Sequence, residues 1–288
     1  MHADCASKTA EYVARHRAAH QVLDAPTILD DPFALIVTDS GFVRALQADP
    51  AGGNRLLAPG RRAFLAARCR YAEDLLARAV RQGCGQYVVL GAGFDTFCLR
   101  SRDRALRVFE IDHPATQAVK LARLHDAGIG IPDRTSFHAA DFTRKSLTEI
   151  LSEAGVDREQ RIFVSWLGVA QYLPRETILD ALADISAFST HVEIVFDYTL
   201  HYDLQSDEQR SVFDIFRRMA ELAAEPFLSM FTPDEIVHLC GAAGFSEVKT
   251  TSVEELNALY CPRGMSGARV EGINQMAYAC ARTGGKVT

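Results

Sequence analysis

The residues that can do chemistry fall into a few short stretches. The first is QYVVLGAGFDTFCLR, residues 86–100. Its apolar run, Tyr87, Val88, Val89 and Leu90, reads as a buried strand that passes into a turn carrying Gly91, Ala92 and Gly93. Glycines at such a turn let a ligand approach the backbone closely. The turn opens like the dinucleotide fingerprint G-x-G-x-x-G, but Thr96 stands where the third glycine belongs. That departure weakens a nicotinamide reading and leaves room for adenosine-type ligands that carry no pyrophosphate.

The second stretch, FEIDHP, puts Glu110 and Asp112 about 20 residues past the turn. A carboxylate offers two acceptor oxygens, so Asp112 there can take both hydroxyls of a ribose. A competing reading makes Asp112 the cap of a helix starting at Pro114, and Glu110 is expected on another face of the strand. The third stretch, FHAADF, supplies Asp141 and Phe142. They suit the exocyclic amine and the ring face of an adenine, or a plain helix cap. Arg68, in FLAARCRYAEDLL, can hold an amino-acid carboxylate bidentately if it faces the crevice; a solvated helix arginine is the alternative, as for Arg17 and Arg70. Towards the end of the fifth strand, VFDYTLHYD brings Asp197, Tyr198, His201 and Tyr202. His201 is a candidate general base or a solvated loop histidine. Tyr172 and Tyr198 line an acceptor pocket or pack in the core.

Elements must bring these stretches together. From about residue 85 the chain alternates strand-like segments, at 86–91, 106–111, 135–140, 161–167, 191–198, 247–252 and 276–282, with helical patterns such as PATQAVKLARLH and PRETILDALADISAF. Such alternation predicts an α/β fold: a mostly parallel, seven-stranded sheet with helices on both faces. Ligands of such sheets bind beyond the carboxyl ends of the strands, where Gly91, Asp112, Asp141 and Leu167 all fall. Residues 1–84 read as a helical cap over that edge, and residues 85–288 as the core, with cap insertions at about 199–230 and 253–275.

Composition narrows the classes. With 48% hydrophobic and 24% charged residues the chain reads as an ordinary globular protein. A net charge of −6 argues against a phosphate-backbone partner. The Arg-rich segment at 61–82 alternates charge with apolar residues as a solvated helix face does. Seven scattered cysteines with no C-x-x-C and no histidine at zinc spacing predict reduced thiols and no metal. No apolar run approaches the roughly 20 residues that span a bilayer, and the first residues lack a signal-peptide core. The expectation is a cytoplasmic protein with a small-molecule partner, without nucleic acid or membrane; a homo-oligomer is compatible with it.

Taken together, AARCRYAEDLL, QYVVLGAGFDTFCLR, FEIDHPATQAVK, AADF and SWLGVAQYL resemble the leucine carboxyl methyltransferase family of S-adenosylmethionine-dependent enzymes. ILDDPFA and EPFLSMFTPDEIVHLCGAAGF extend the likeness towards both ends. The chain looks most like the bacterial branch, with its small-molecule O-methyltransferases of secondary metabolism. The resemblance implies a Rossmann-like class I methyltransferase fold. It implies that Arg68 holds the methionine carboxylate, that Gly91, Ala92 and Gly93 pass under the methionine, that Asp112 takes the ribose, and that Asp141 and Phe142 meet the adenine. Arg17 matches a second basic residue of the family's cap. Many relatives place Glu before the glycine of the fourth-strand motif, whereas this chain has Leu167-Gly168, so that cofactor contact is absent or made by backbone. Tyr260 and Arg263, in ALYCPRGMSG, resemble a segment that closes over the substrate, where Arg263 would suit an acceptor carboxylate.

The expected activity is methyl ester formation on a small carboxylate, ahead of phenol or enol methylation. A carboxylate is ionised at neutral pH, whereas a phenol with pKa near 10 gains from a base. A nicotinamide-dependent oxidoreductase and a cofactor-binding module without catalysis are the readings from other classes.

Overall fold

The computed structural model describes residues 7–142, 145–222, 225–261 and 268–282. Its centre is a seven-stranded sheet in the order β3-β2-β1-β4-β5-β7-β6. The strands are β1 (Gln86–Leu90), β2 (Arg107–Asp112), β3 (Thr135–Ala139), β4 (Ile162–Trp166), β5 (His191–Thr199), β6 (Glu247–Thr251) and β7 (Asn274–Arg282). The first five run parallel, and β7 is antiparallel to both β5 and β6. The sheet is therefore mixed, with one reversed strand inside a parallel frame.

Strands covered on both sides must be apolar throughout rather than alternating, and β1 and β4 are buried at every position. On one face Val88, Phe109, Val164 and Ile194 pack with α8 (Leu147–Glu153), α9 (Arg175–Phe188) and α11 (Pro233–Ala242). On the other, Tyr87, Val89, Phe163 and Val195 pack with α5 (Pro59–Arg81), α6 (Phe97–Arg100) and α12 (Val253–Tyr260). Helices thus lie on both faces, with α7 (Pro114–Asp126) crossing from β2 to β3.

Before β1 the chain is helical: α1 (Lys8–Leu23), α2 (Ala34–Val37), α3 (Ser40–Ala48), α4 (Pro50–Leu56) and then α5. Ser7 starts α1 by accepting from Ala10 N, and Pro59 opens α5 at a position whose amide has no helical partner. Between β5 and α11 the chain leaves the sheet at Leu200, forms α10 (Asp207–Leu222) and returns at Phe231, which bridges Leu200 in parallel. The side chain of Thr9 donates to Glu225, just after α10, and Ser7 N donates to Thr116 of α7, so the start of α1 is tied down across the carboxyl edge of the sheet.

Candidate functional site

The parallel strands β1, β2, β4 and β5 end at one edge of the sheet, where Arg17 of α1 and Arg68 of α5 also arrive. The amides of Gly91 and Ala92 both donate to Ile111 O, at 2.9 and 3.2 Å, which fixes the glycine turn against the end of β2. Gly91 has φ +63°, and a Cβ there would stand 2.6 Å from Val169 Cγ2, so only glycine fits. Asp112 turns back to this loop. Its carboxylate accepts from Gly93 N and, at 2.6 Å, from His113 N. Burial raises the Asp112 pKa, the two amides pulling against that. The cap of α7 is His113, which accepts from Ala115 N. Helix capping therefore does not account for Asp112, and its position beside Gly93 suits an acceptor of ligand hydroxyls. The amide of Ala140 donates to Asp112 O, which brings Asp141 and Phe142 to the same edge; Phe142 is half-buried against the core.

On the other side of the turn lies Arg68, 5% exposed, in the middle of α5. It donates to Asp197 of β5 at 3.1 Å, and Asp197 also accepts from Gly168 N and from Asn274. Gly168 has φ +73°, and a Cβ there would come within 3.0 Å of both terminal nitrogens of Arg68. Glycine after β4 is thus what gives the guanidinium its place. Gly168→Ala should cost about 1–2 kcal/mol for the left-handed backbone plus displacement of Arg68, read by chemical denaturation and by cofactor titration. Leu167 is half-buried against Leu29, Ala66 and Cys69, and the carboxylate in this neighbourhood is Asp197. Its entry from β5 was not foreseen as a partner of Arg68.

The residues present fit an amino-acid nucleoside. Arg68 Nε is buried with no partner among the described residues, so the guanidinium keeps a donor for a carboxylate after Asp197 is satisfied. Gly91 and Gly168 leave the backbone bare between Arg68 and Asp112.

Sequence reasoning missed the device that joins cap to turn. Arg17 of α1 is 5% exposed and pairs with Asp31; it also donates to Phe94 O and to Thr96 Oγ1. Thr96 in turn donates to Asp31 at 2.6 Å and accepts from Arg100. The threonine in the third-glycine position therefore has a positive role: its hydroxyl joins the glycine turn to two buried charges of the cap. Both terminal nitrogens of Arg17 are engaged in this network, which leaves its Nε without a partner among the described residues. Glu110 faces α7, where it pairs with Lys120, both being about 1% exposed.

The acceptor-side candidates separate. Tyr172, in the 3-10 turn Ala170–Tyr172, stacks near Phe227 with ring centroids 5.3 Å apart, beside the crevice. Tyr198 is a correction: it is 1% exposed inside the core, and its hydroxyl donates to Gln275. Neighbouring strand residues point to opposite faces, so with Asp197 turned to α5 the ring of Tyr198 must go the other way. Tyr260 sits on the flank of the sheet, donating to Asp74 of α5, beside a groove formed with Tyr71, Arg78 and Lys249. His201 is partly exposed, its Nδ1 accepting from Asp203 N at 3.4 Å and standing 3.6 Å from the Asp203 carboxylate. Arg263 lies outside the described residues. Among the described residues no group of three or more His, Cys, Asp or Glu could hold a metal ion, and no helix is long and apolar enough to cross a membrane.

A profile of the family described as Leucine carboxyl methyltransferase matches residues 10–186. A Bacillus subtilis (strain 168) protein, provisionally named an S-adenosyl-L-methionine-dependent methyltransferase, is 36% identical over 200 residues, which cover 67% of this chain and 64% of that one. The match thus spans just under two-thirds of the Bacillus protein. A Mycobacterium avium (strain 104) protein with the same provisional name is 32% identical over 225 residues, 75% of this chain and 73% of that one. Among solved structures, a provisionally named methyltransferase from Thermobifida fusca superposes with a TM-score of 0.57 at 16% identity, covering 96% of this chain and 98% of that one.

Proposed function

Since the chain belongs to the leucine carboxyl methyltransferase family, whose cofactor is S-adenosylmethionine, we propose that it is an O-methyltransferase that forms methyl esters on small-molecule carboxylates. Arg68 would hold the methionine carboxylate, Gly91 to Gly93 would pass beneath the amino-acid part, and Asp112 would take the ribose hydroxyls. Asp141 and Phe142 would stand at the adenine. When bound, S-adenosylmethionine supplies an electrophilic methyl group on a sulfonium, and its transfer to a carboxylate oxygen leaves an ester and S-adenosylhomocysteine with no proton to move.

The chain's own task is then to exclude water and hold the acceptor in line. The observation that favours a carboxylate acceptor is the electrostatic surrounding of α1. His16 of α1, stacked on Tyr12 at 4.1 Å, has its pKa pushed down to about 4 by burial, with Arg61 and Arg62 adding to the effect. The Arg61 guanidinium beside it, which has no ion-pair partner among the described residues, is the charge that attracts an anion there, and a histidine so weak is a poor base for a phenol of pKa near 10.

The test uses methyl-labelled S-adenosylmethionine with a panel of carboxylic acids and phenols. Ester label is released as methanol by mild base, whereas aryl ether label survives. Base-labile product, with a rate flat between pH 6 and 9 because the acceptor is already ionised, is the expected result. Base-stable product with a rate rising tenfold per pH unit would replace the carboxylate by a phenol.

A further inference from the structure

Two turns before Arg68, α5 carries another arginine that the cofactor does not account for. Arg61 precedes it by seven residues, so at 3.6 residues per turn both lie on one face, about 10 Å apart along the axis. Their neighbours treat them differently. Arg62 is paired with Asp24 at 2.6 Å and Arg68 with Asp197 at 3.1 Å. Arg61 is partly exposed and forms no ion pair among the described residues, and its Nε and Nη1 atoms are buried without a hydrogen-bond partner among them. The rings of Phe64 and Phe216 cover the guanidinium at 5.3 and 5.1 Å, and the Tyr12 hydroxyl hydrogen-bonds beside it.

Taking a cation out of water without an anion costs several kcal/mol, and a guanidinium does not escape by losing its proton near neutral pH. Burial does lower the Arg61 pKa, and the nearby Arg68 charge lowers it further. Asp197 and the hydroxyls of Tyr12 and Tyr172 offset only part of that effect, and two buried donors left unpaired on a helix whose neighbouring arginines are both paired mark a place for an anion.

We infer that Arg61 is the acceptor anchor: it receives the carboxylate of a substrate whose apolar or aromatic body packs on the rings of Tyr172, Phe227 and Phe216. Tyr172 lies 5.3 Å from Phe227 and Phe227 5.6 Å from Phe213, centroid to centroid, which links the turn after β4 to α10, and Phe216, also on α10, covers Arg61. Nε and Nη1 lie on different sides of the guanidinium, so each offers its own N–H to an anion, and aromatic flanks reward a flat apolar partner. The inference rests on the methyltransferase reading and names the substrate feature that its site selects.

The test is calorimetry on protein saturated with S-adenosylhomocysteine, with benzoate, phenylacetate and octanoate as probes and benzamide and phenylacetamide as uncharged controls. Wild type should bind at least one carboxylate tenfold or more tighter than its amide. Arg61→Met should lose that preference, Arg61→Lys should keep part of it, and both should hold S-adenosylhomocysteine within about twofold of wild type. Arg61→Met should also melt no lower than wild type without ligand. Three outcomes overturn the inference: no saturable carboxylate binding by wild type, equal binding by Arg61→Met, or a tenfold loss of S-adenosylhomocysteine affinity in Arg61→Met, which would give Arg61 to the cofactor. Failure of wild type to bind S-adenosylhomocysteine at all would instead bring down the methyltransferase reading itself.

Discussion

Arg68→Met should abolish measurable cofactor binding, lowering S-adenosylhomocysteine affinity by about a hundredfold or more, roughly 2.7 kcal/mol, and should destabilise the free protein as well. The two effects have separate origins. Asp197 is 0% exposed, and losing its cation leaves a buried carboxylate that keeps, among the described residues, the contacts from Gly168 N and Asn274. Breaking a buried pair from one side costs about 3–5 kcal/mol. Affinity falls for another reason, because the free donor of Arg68 is the group offered to the methionine carboxylate. The double variant Arg68→Met with Asp197→Asn separates them. It should recover most of the stability, since no unpaired charge remains, and should recover none of the affinity. If affinity returned with stability, Arg68 would be a scaffold residue only, and the cofactor carboxylate would have to be held elsewhere in the crevice.

Much of this arrangement is legible in the sequence, and the illegible part has a common cause. The runs QYVVL and RIFVSW declare buried strands by composition, and the structure places strands at both. The glycine turn and the FEIDHP stretch locate a binding edge because their spacing is a property of one chain segment. The start of β7 at Asn274 escaped notice, since Asn274 and Gln275 carry no apolar signal; they are strand because they pair with Thr199 and Tyr198. Orientation escaped in the same way. Asp197 and Tyr198 both look like crevice residues until the strand register decides that they point apart. Arg61 gives no sequence signal at all beyond its position seven residues before Arg68, for what distinguishes it is the missing partner, and absence of a partner is a property of packing.

The long-range network around Thr96 shows the limit most clearly. Arg17 and Asp31 stand more than 60 residues before Thr96 and Arg100 in the chain, in segments whose patterns read as a helical cap, a loop and a turn. Nothing in the periodicity of any one segment announces that they meet. A sequence reader can notice only that a threonine replaces a glycine; the reason needs the fold.

That network supplies the second large effect. Asp31→Asn should destabilise the protein by about 3–5 kcal/mol at pH 7, because Arg17, buried and paired there, loses its counter-ion, and Arg100, 3.3 Å from the same carboxylate, loses a second contact. Burial on its own would raise the Asp31 pKa, but the charges of Arg17 and Arg100 with the Thr96 hydroxyl outweigh it and hold it below the usual value. A carboxylate with a depressed folded pKa contributes stability that is present above its unfolded pKa, about 3.9, and is lost as the pH falls through the lower folded value. The stability gap between wild type and Asp31→Asn, measured by urea denaturation, should therefore be full at pH 7 and close below pH 4. Glu73, which shares Arg100, moves the opposite way because burial raises its pKa. It protonates earlier in wild type and variant alike, so the difference between them isolates Asp31. A gap that stayed constant down to pH 3 would mean that the asparagine perturbs packing rather than charge. A closing gap, accompanied by weaker S-adenosylhomocysteine binding in the variant at pH 7, would show that the cap holds the glycine turn through this buried ion pair.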